Sequence, residues 1–275
     1  LLAYIIFGKN INKESENNNA NTGNNTSDVV TLDINSSEIQ ELTKFVRNMN
    51  SNYDWYIDEM LNAFNIENSN HDDNKMGFVA YYLELNEYKD KKTINNDMHN
   101  LYIKEKDMEN KFREIFGPDV VYTNRTFKED NCNITSEYNS KTKQYSGCYN
   151  CCSFFGGDYR IFFELYNAEQ KDDEIYTYWH LYEGNYFDRY DGNSNSIMEG
   201  YKDYTLSPLN NSELKEEFTC TTCNESNISL FLEEDFENIN YLINKIKSRG
   251  KIDTYKITYK KQSDGKYYVY SGEWM

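Results

Sequence analysis

Apolar residues recur every three or four positions as far as Gly117-Pro118, and every second position beyond it. This change of period restricts the fold more than any other feature, because helices and strands bury one face at different spacings. Before the break, Ile39, Leu42, Phe45, Val46 and Met49 mark a first helix, with Ser37 placed to cap it and Gln40 to complete a capping box. Tyr56, Ile57, Met60, Leu61 and Phe64 mark a second over residues 53–64. Met76, Val79, Ala80 and Leu83 mark a third over residues 75–88. A fourth covers residues 104–116 with Met108, Phe112, Ile115 and Phe116 inward. Gly117 and Pro118 stop it, since glycine supplies the C-terminal turn and proline cannot continue the helix.

Beyond Pro118 the pattern is that of strands. Val120-Val121-Tyr122 with Thr126-Phe127 begin one, and residues 159–165 form another. Residues 174–182 set Ile175, Thr177, Trp179 and Leu181 against Tyr176, Tyr178, His180 and Tyr182, so both faces of that strand are rich in apolar or aromatic groups. Ile239, Leu242, Ile243 and Ile246 return to helical spacing over residues 236–247, closed by Arg249-Gly250. The chain ends in a hairpin, residues 255–259 and 267–270 around the turn Ser263-Asp264-Gly265. Helices first and antiparallel strands later predict an α+β fold, with N-terminal helices packed on a curved sheet, cystatin-like or NTF2-like by analogy. The expected layout is a helical subdomain over residues 29–118 and a sheet with one helix over 119–275.

A mean hydropathy of −0.89 would suit a disordered chain. The 26 Tyr, 15 Phe and 3 Trp argue otherwise, because disordered segments are poor in aromatics. The 29 basic and 46 acidic residues give a net charge of −17. Such a surface repels phosphate backbones, which excludes nucleic acid as an expected partner.

The apolar run Leu1-Leu2-Ala3-Tyr4-Ile5-Ile6-Phe7 reads, over residues 1–8, as the end of a transmembrane or signal-anchor helix. Residues 9–28, rich in Asn, Ser and Glu, read as a disordered polar tether. An apolar stub, a tether and a globular part make the plan of a single-pass membrane protein with its folded part outside the cytoplasm.

Four features carry a resemblance: Thr31-Leu32-Asp33-Ile34-Asn35-Ser36 leading into a helix, Ile115-Phe116-Gly117 before strands, the loop from Cys132 to Cys148, and the Tyr-rich hairpin around Asp264-Gly265. Together they resemble membrane-anchored surface proteins of low-GC Gram-positive bacteria. The resemblance implies a location and a layout. It carries no activity and no catalytic residue across.

Six cysteines, Cys132, Cys148, Cys151, Cys152, Cys220 and Cys223, offer the sharpest chemistry. Cys148 with Cys151, and Cys220 with Cys223, have the spacing of four-thiolate zinc knuckles. Outside a membrane the same residues suit disulfides, Cys132 to Cys148 closing a polar loop and Cys220 to Cys223 a tight one. Free thiols are the third alternative. His71, His99 and His180 lie at no metal-ligand spacing, and no nucleophile signature occurs. In the acidic loop 188–199, Asp191, Asn193 and Asn195 mimic the start of a calcium loop, but Ser196 stands where glycine is required. Tyr176, Tyr178, Trp179 and Tyr182 are candidate ligand contacts, since tyrosine on a sheet face is a rigid amphipathic contact residue. These features point to a non-enzymatic module without a cofactor that binds a protein or cell-envelope ligand. The alternative is a zinc- or calcium-dependent domain, or an envelope enzyme, using the Cys pairs or the acidic loop.

Overall fold

The computed structural model describes residues 29–47, 55–67, 71–88, 93–95, 98–128, 135–147, 158–190, 197–210, 212–214, 216–220 and 236–275. The apolar stub and tether at residues 1–28 lie outside them. Among the described residues no helix is long and apolar enough to cross a membrane.

The short strand β1 (Val30–Thr31) leads into α1 (Ser37–Leu42). Ser36, rather than Ser37, caps that helix by accepting from the Ile39 backbone N–H at 3.3 Å. Gln40 closes no capping box, because its Nε2 donates to the Ile34 carbonyl instead, at 3.0 Å. The expected first helix breaks at Thr43 and resumes as α2 (Lys44–Arg47). The Thr43 hydroxyl bonds back to the Ile39 carbonyl at 2.6 Å, a local bond of the kind that competes with regular helix. Next come α3 (Trp55–Phe64) and α4 (His71–Asn86), which starts a turn earlier than expected, with Asp72 and Asp73 in its first turn. Strands β2 (Thr93–Asn95) and β3 (Met98–Lys104) precede α5 (Glu105–Phe116).

The expected strand at 120–122 does not form. Arg113 Nη1 takes the Pro118 carbonyl at 2.9 Å and the Val120 carbonyl at 2.7 Å, and the Tyr122 ring packs on Phe112 at 5.0 Å. Those residues fold over α5 as a loop, and pairing begins only at β4 (Phe127–Lys128). With β5 (Thr135–Asn139) and β6 (Gln144–Gly147) it completes an antiparallel sheet in the order β2-β3-β6-β5-β4.

The larger antiparallel sheet is built on two long strands, β7 (Asp158–Lys171) and β8 (Glu174–Tyr190). The remaining elements are β9 (Ile197–Pro208), β10 (Glu216–Cys220), α6 (Phe236–Arg249), β11 (Tyr255–Lys261) and β12 (Tyr267–Trp274). One edge of β8 pairs with β7 along its length. The other edge forks, with residues 174–179 pairing with β11 and the stretch from Tyr182 to Tyr190 with β9. Six helices and two antiparallel sheets among the described residues make the fold α+β.

The main core lies between the helices and the inner face of the larger sheet. Phe64, Phe78 and Phe116, from α3, α4 and α5, meet edge to face at centroid distances of 5.3, 6.2 and 6.4 Å. Ile175, Trp179 and Leu181 of β8, together with Tyr255, Ile257 and Tyr259 of β11, close the core from the sheet side. Residues on both sides of Pro118 share this core, and β1 is itself a strand of the larger sheet, Thr31 standing opposite Glu169. A second buried group, containing Tyr182, Leu206, Leu242, Ile243 and Ile246, stands apart from it. It lies on the opposite side of the sheet, because Tyr182 and His180 share a face, Leu206 stands opposite Gly184 on that face, and α6 packs on β9 and β10 there.

Candidate ligand-binding face

Alternation along β8 sends Tyr176, Tyr178 and His180 to the face away from the main core. Cross-strand pairing adds Glu169 opposite Tyr176, Glu164 opposite His180, and Lys256 opposite Tyr178. Two register shifts complete the face. In β7 the ladder skips Tyr166 between Leu165 and Asn167, and in β12 it skips Tyr270 between Val269 and Ser271. A bulge re-aims the extra side chain out of the pleat. Tyr166 and Tyr270 are accordingly 40% and 42% exposed, while their neighbours on β8 are half-buried.

The rings sit beside charge. Lys260 Nζ stands 3.7 Å from the centre of the Tyr270 ring, and Lys256 Nζ stands 5.6 Å from that of Tyr176. The Tyr178 hydroxyl donates to Glu169 Oε2 at 2.9 Å, and the Tyr176 hydroxyl donates to Glu174. Burial and the bond to Glu169 push Tyr178 up to about 12. The bond to Glu174, then burial, does the same for Tyr176. Both phenols are therefore neutral donors near neutral pH, their rings fixed by their own carboxylates. The Tyr166 ring stacks on His180 at 4.1 Å and 17°, and its hydroxyl meets the Thr254 hydroxyl at 2.8 Å.

Glu164 forms the border of this face. Its Oε2 accepts from His180 Nδ1 at 3.2 Å and from the Tyr182 hydroxyl at 3.0 Å, while Lys247 of α6 pairs with Oε1. Burial alone would raise the Glu164 carboxyl. The hydrogen bonds from His180 and Lys247, the charge of Lys247 and the Tyr182 hydroxyl outweigh it and hold the group down at about 2. An acid held that low donates no proton near neutrality, so Glu164 serves as a tie between β7, β8 and α6.

The other two candidate contacts stand elsewhere. Trp179 is 1% exposed on the inner face, where its Nε1 donates to the Thr177 hydroxyl at 2.8 Å and Arg47 stands 6.0 Å over the ring. Tyr182 has outward parity but is fully buried on the α6 side. A ligand approaching the open face meets Tyr166, Tyr176, Tyr178 and Tyr270 instead. Alternation alone assigns Trp179 to the opposite face from Tyr176, whereas nothing local in the sequence marks Tyr166 and Tyr270 as bulge residues.

Cys132, Cys148, Cys151, Cys152 and Cys223 lie outside the described residues, as do Asp191, Asn193, Asn195 and Ser196 of the acidic loop. Cys220 ends β10 opposite Lys202. Among the described residues no group of His, Cys, Asp and Glu could hold a metal ion. No protein-family model matches the sequence, and no curated protein or solved structure matches it.

Proposed function

We propose that the chain is an extracytoplasmic module, tethered at a membrane through residues 1–28, that binds a protein or cell-envelope ligand on the outer face of β7, β8, β11 and β12. The observation that carries this reading is the row of tyrosines with its two bulge residues: Tyr270 over Lys260, then Tyr176, Tyr178 and Tyr166 across the sheet. Contact surfaces favour tyrosine because a rigid ring buries much area while losing little rotamer freedom. Here the hydroxyls are held by Glu169 and Glu174 before any ligand arrives, which lowers the ordering cost of binding. The apolar run followed by a polar tether supports the membrane location, as does the resemblance to surface proteins.

The test is sedimentation of the chain with envelope fractions of the cells that make it, before and after Tyr176→Ala and Tyr178→Ala together. The double variant should keep its near-ultraviolet circular dichroism and bind at least about tenfold more weakly, the loss expected when central aromatic anchors are truncated. Unchanged sedimentation by a folded double variant removes the proposal.

A further inference from the structure

Tyr166 is tied to three strands of the larger sheet. Its backbone belongs to β7, where the bulge between Leu165 and Asn167 lifts it out of the ladder. Its hydroxyl meets that of Thr254, the residue before β11, and the register that sets Tyr255 opposite Trp179 places Thr254 level with His180. β7 and β11 flank β8, so their chains run about 10 Å apart. The Tyr166 side chain therefore lies across β8 along the sheet, with the His180 ring stacked against it at 4.1 Å and 17°. The imidazole covers one face of the phenol and the other is turned to solvent, which accounts for the 40% exposure of a side chain held at both ends. Tyr270 repeats the arrangement from the opposite edge. A bulge lifts it from β12, the Lys260 ammonium stands 3.7 Å from its ring centre, and it remains 42% exposed.

Rings fixed with one face outward select a ligand by flat apolar contact. Charge narrows the class. The chain as a whole carries −17, yet at this face Lys247 holds Glu164, Lys256 holds Glu273 and Lys260 holds Glu174, while Glu169 accepts from Tyr178. An anionic or a cationic polymer would have to break these pairs, whereas an uncharged ligand leaves them intact. Size narrows the class further. Four strands spaced by about 4.8 Å, each giving about six residues at about 3.3 Å, make a face of roughly 400 Å² in plan. That is about half of what one partner contributes to a standard protein interface, and it suits one segment of an extended polymer. A neutral glycan combines these properties, because each sugar ring has a flat C–H face, hydroxyls at its edge and no charge.

We infer that the tyrosine face binds a segment of an uncharged polysaccharide of the envelope, with Tyr166 and Tyr270 stacking on its sugar rings. The inference rests on the function proposed above and names the ligand class. The test uses the full chain and the same envelope fractions. Treating the fractions with periodate, which cleaves the vicinal diols of sugars, should abolish sedimentation of the chain, and digesting them with protease should leave it intact. Raising sodium chloride from about 20 to about 500 mM should change the affinity less than about twofold, because an uncharged ligand offers no charge to screen. Tyr166→Leu, which keeps apolar bulk without a flat face, should bind about tenfold more weakly. Tyr166→Phe, which keeps the ring, should recover most of that loss. If Tyr166→Leu fails to fold, Tyr270→Leu takes its place. Sedimentation that survives periodate, is lost after protease or falls steeply with salt overturns the inference, and so does full-strength binding by the folded leucine variant. Where that sedimentation still depends on Tyr176 and Tyr178, the function proposed above stands without it. No sedimentation of the parent chain at all removes both.

Discussion

The outer face of the long strands β7 and β8 is open along one half and covered along the other. In the open half, Tyr176 and Tyr178 stand half-buried beside the exposed Tyr166. In the covered half, Tyr182 has the same parity and the same chemistry but lies with Leu206 on the side where α6 packs. Nothing in the alternation of β8 distinguishes Tyr178 from Tyr182. The difference comes from a helix far along the chain, whose Lys247 reaches the carboxylate that also holds the Tyr182 hydroxyl. A sheet face is buried or left open according to what returns to cover it, and β8 shows both outcomes on one strand.

Three measurements test that contrast. Trp179→Ala, on the face that carries the main core, should have the largest effect, about 3–5 kcal/mol of lost stability in urea unfolding. A loss under about 1 kcal/mol would mean that the inner face is not the principal core. Ile246→Ala, under α6, should cost about 2–4 kcal/mol. It should also accelerate amide exchange in β9 and β10 more than in β11 and β12, as expected if the covered half opens as its own unit. Equal acceleration everywhere would merge the two halves. Glu164→Gln, at their border, should have the smallest effect, and one that depends on pH. A carboxyl held near 2 in the folded chain contributes stability above its ordinary value of 4.5, and that contribution is lost as pH falls from there towards 2. Partial exposure screens it to about 1–2 kcal/mol. The parent should therefore lose stability over that acidic range while the variant stays flatter. Parallel curves would deny Glu164 its role as a tie.

The elements bounded by local chemistry were legible in the sequence. Gly117 ends α5 with φ at 89°, and α6 and the closing hairpin lie where their periods place them. What depends on distant partners was not legible. Ser36 and Ser37 are equivalent as caps until the chain path through Ile34 chooses between them. Val120 and Tyr122 read as strand because the sequence does not show that Arg113 takes the carbonyls. In the candidate site, Tyr176 and Tyr178 follow from alternation, but Tyr166 and Tyr270 follow from pairing register, which two strands decide together. The β8–β9 pairing is not legible either: residues 188–199 read as a single acidic loop, whereas β8 runs to Tyr190 and β9 begins at Ile197.

Gln262 has a consequence for how the chain reaches this structure. Its amide donates to the Phe116 carbonyl at 2.7 Å and accepts from the Asp119 backbone N–H at 3.0 Å, while Ser263 donates twice to the Asp119 carboxylate. The turn of this hairpin is thereby fastened to the end of α5, across more than 140 residues of sequence. β11 and β12 also supply Tyr255, Ile257, Tyr259 and Val269 to the main core. That core lacks the part of its sheet wall formed by β11 and β12 until this hairpin has been synthesised. Folding must then await synthesis of the β11–β12 hairpin and proceed through contacts of long sequence separation, in the slow, millisecond-to-second regime of such topologies. A chain shortened by its last hairpin should emerge as a substrate for chaperones and proteases.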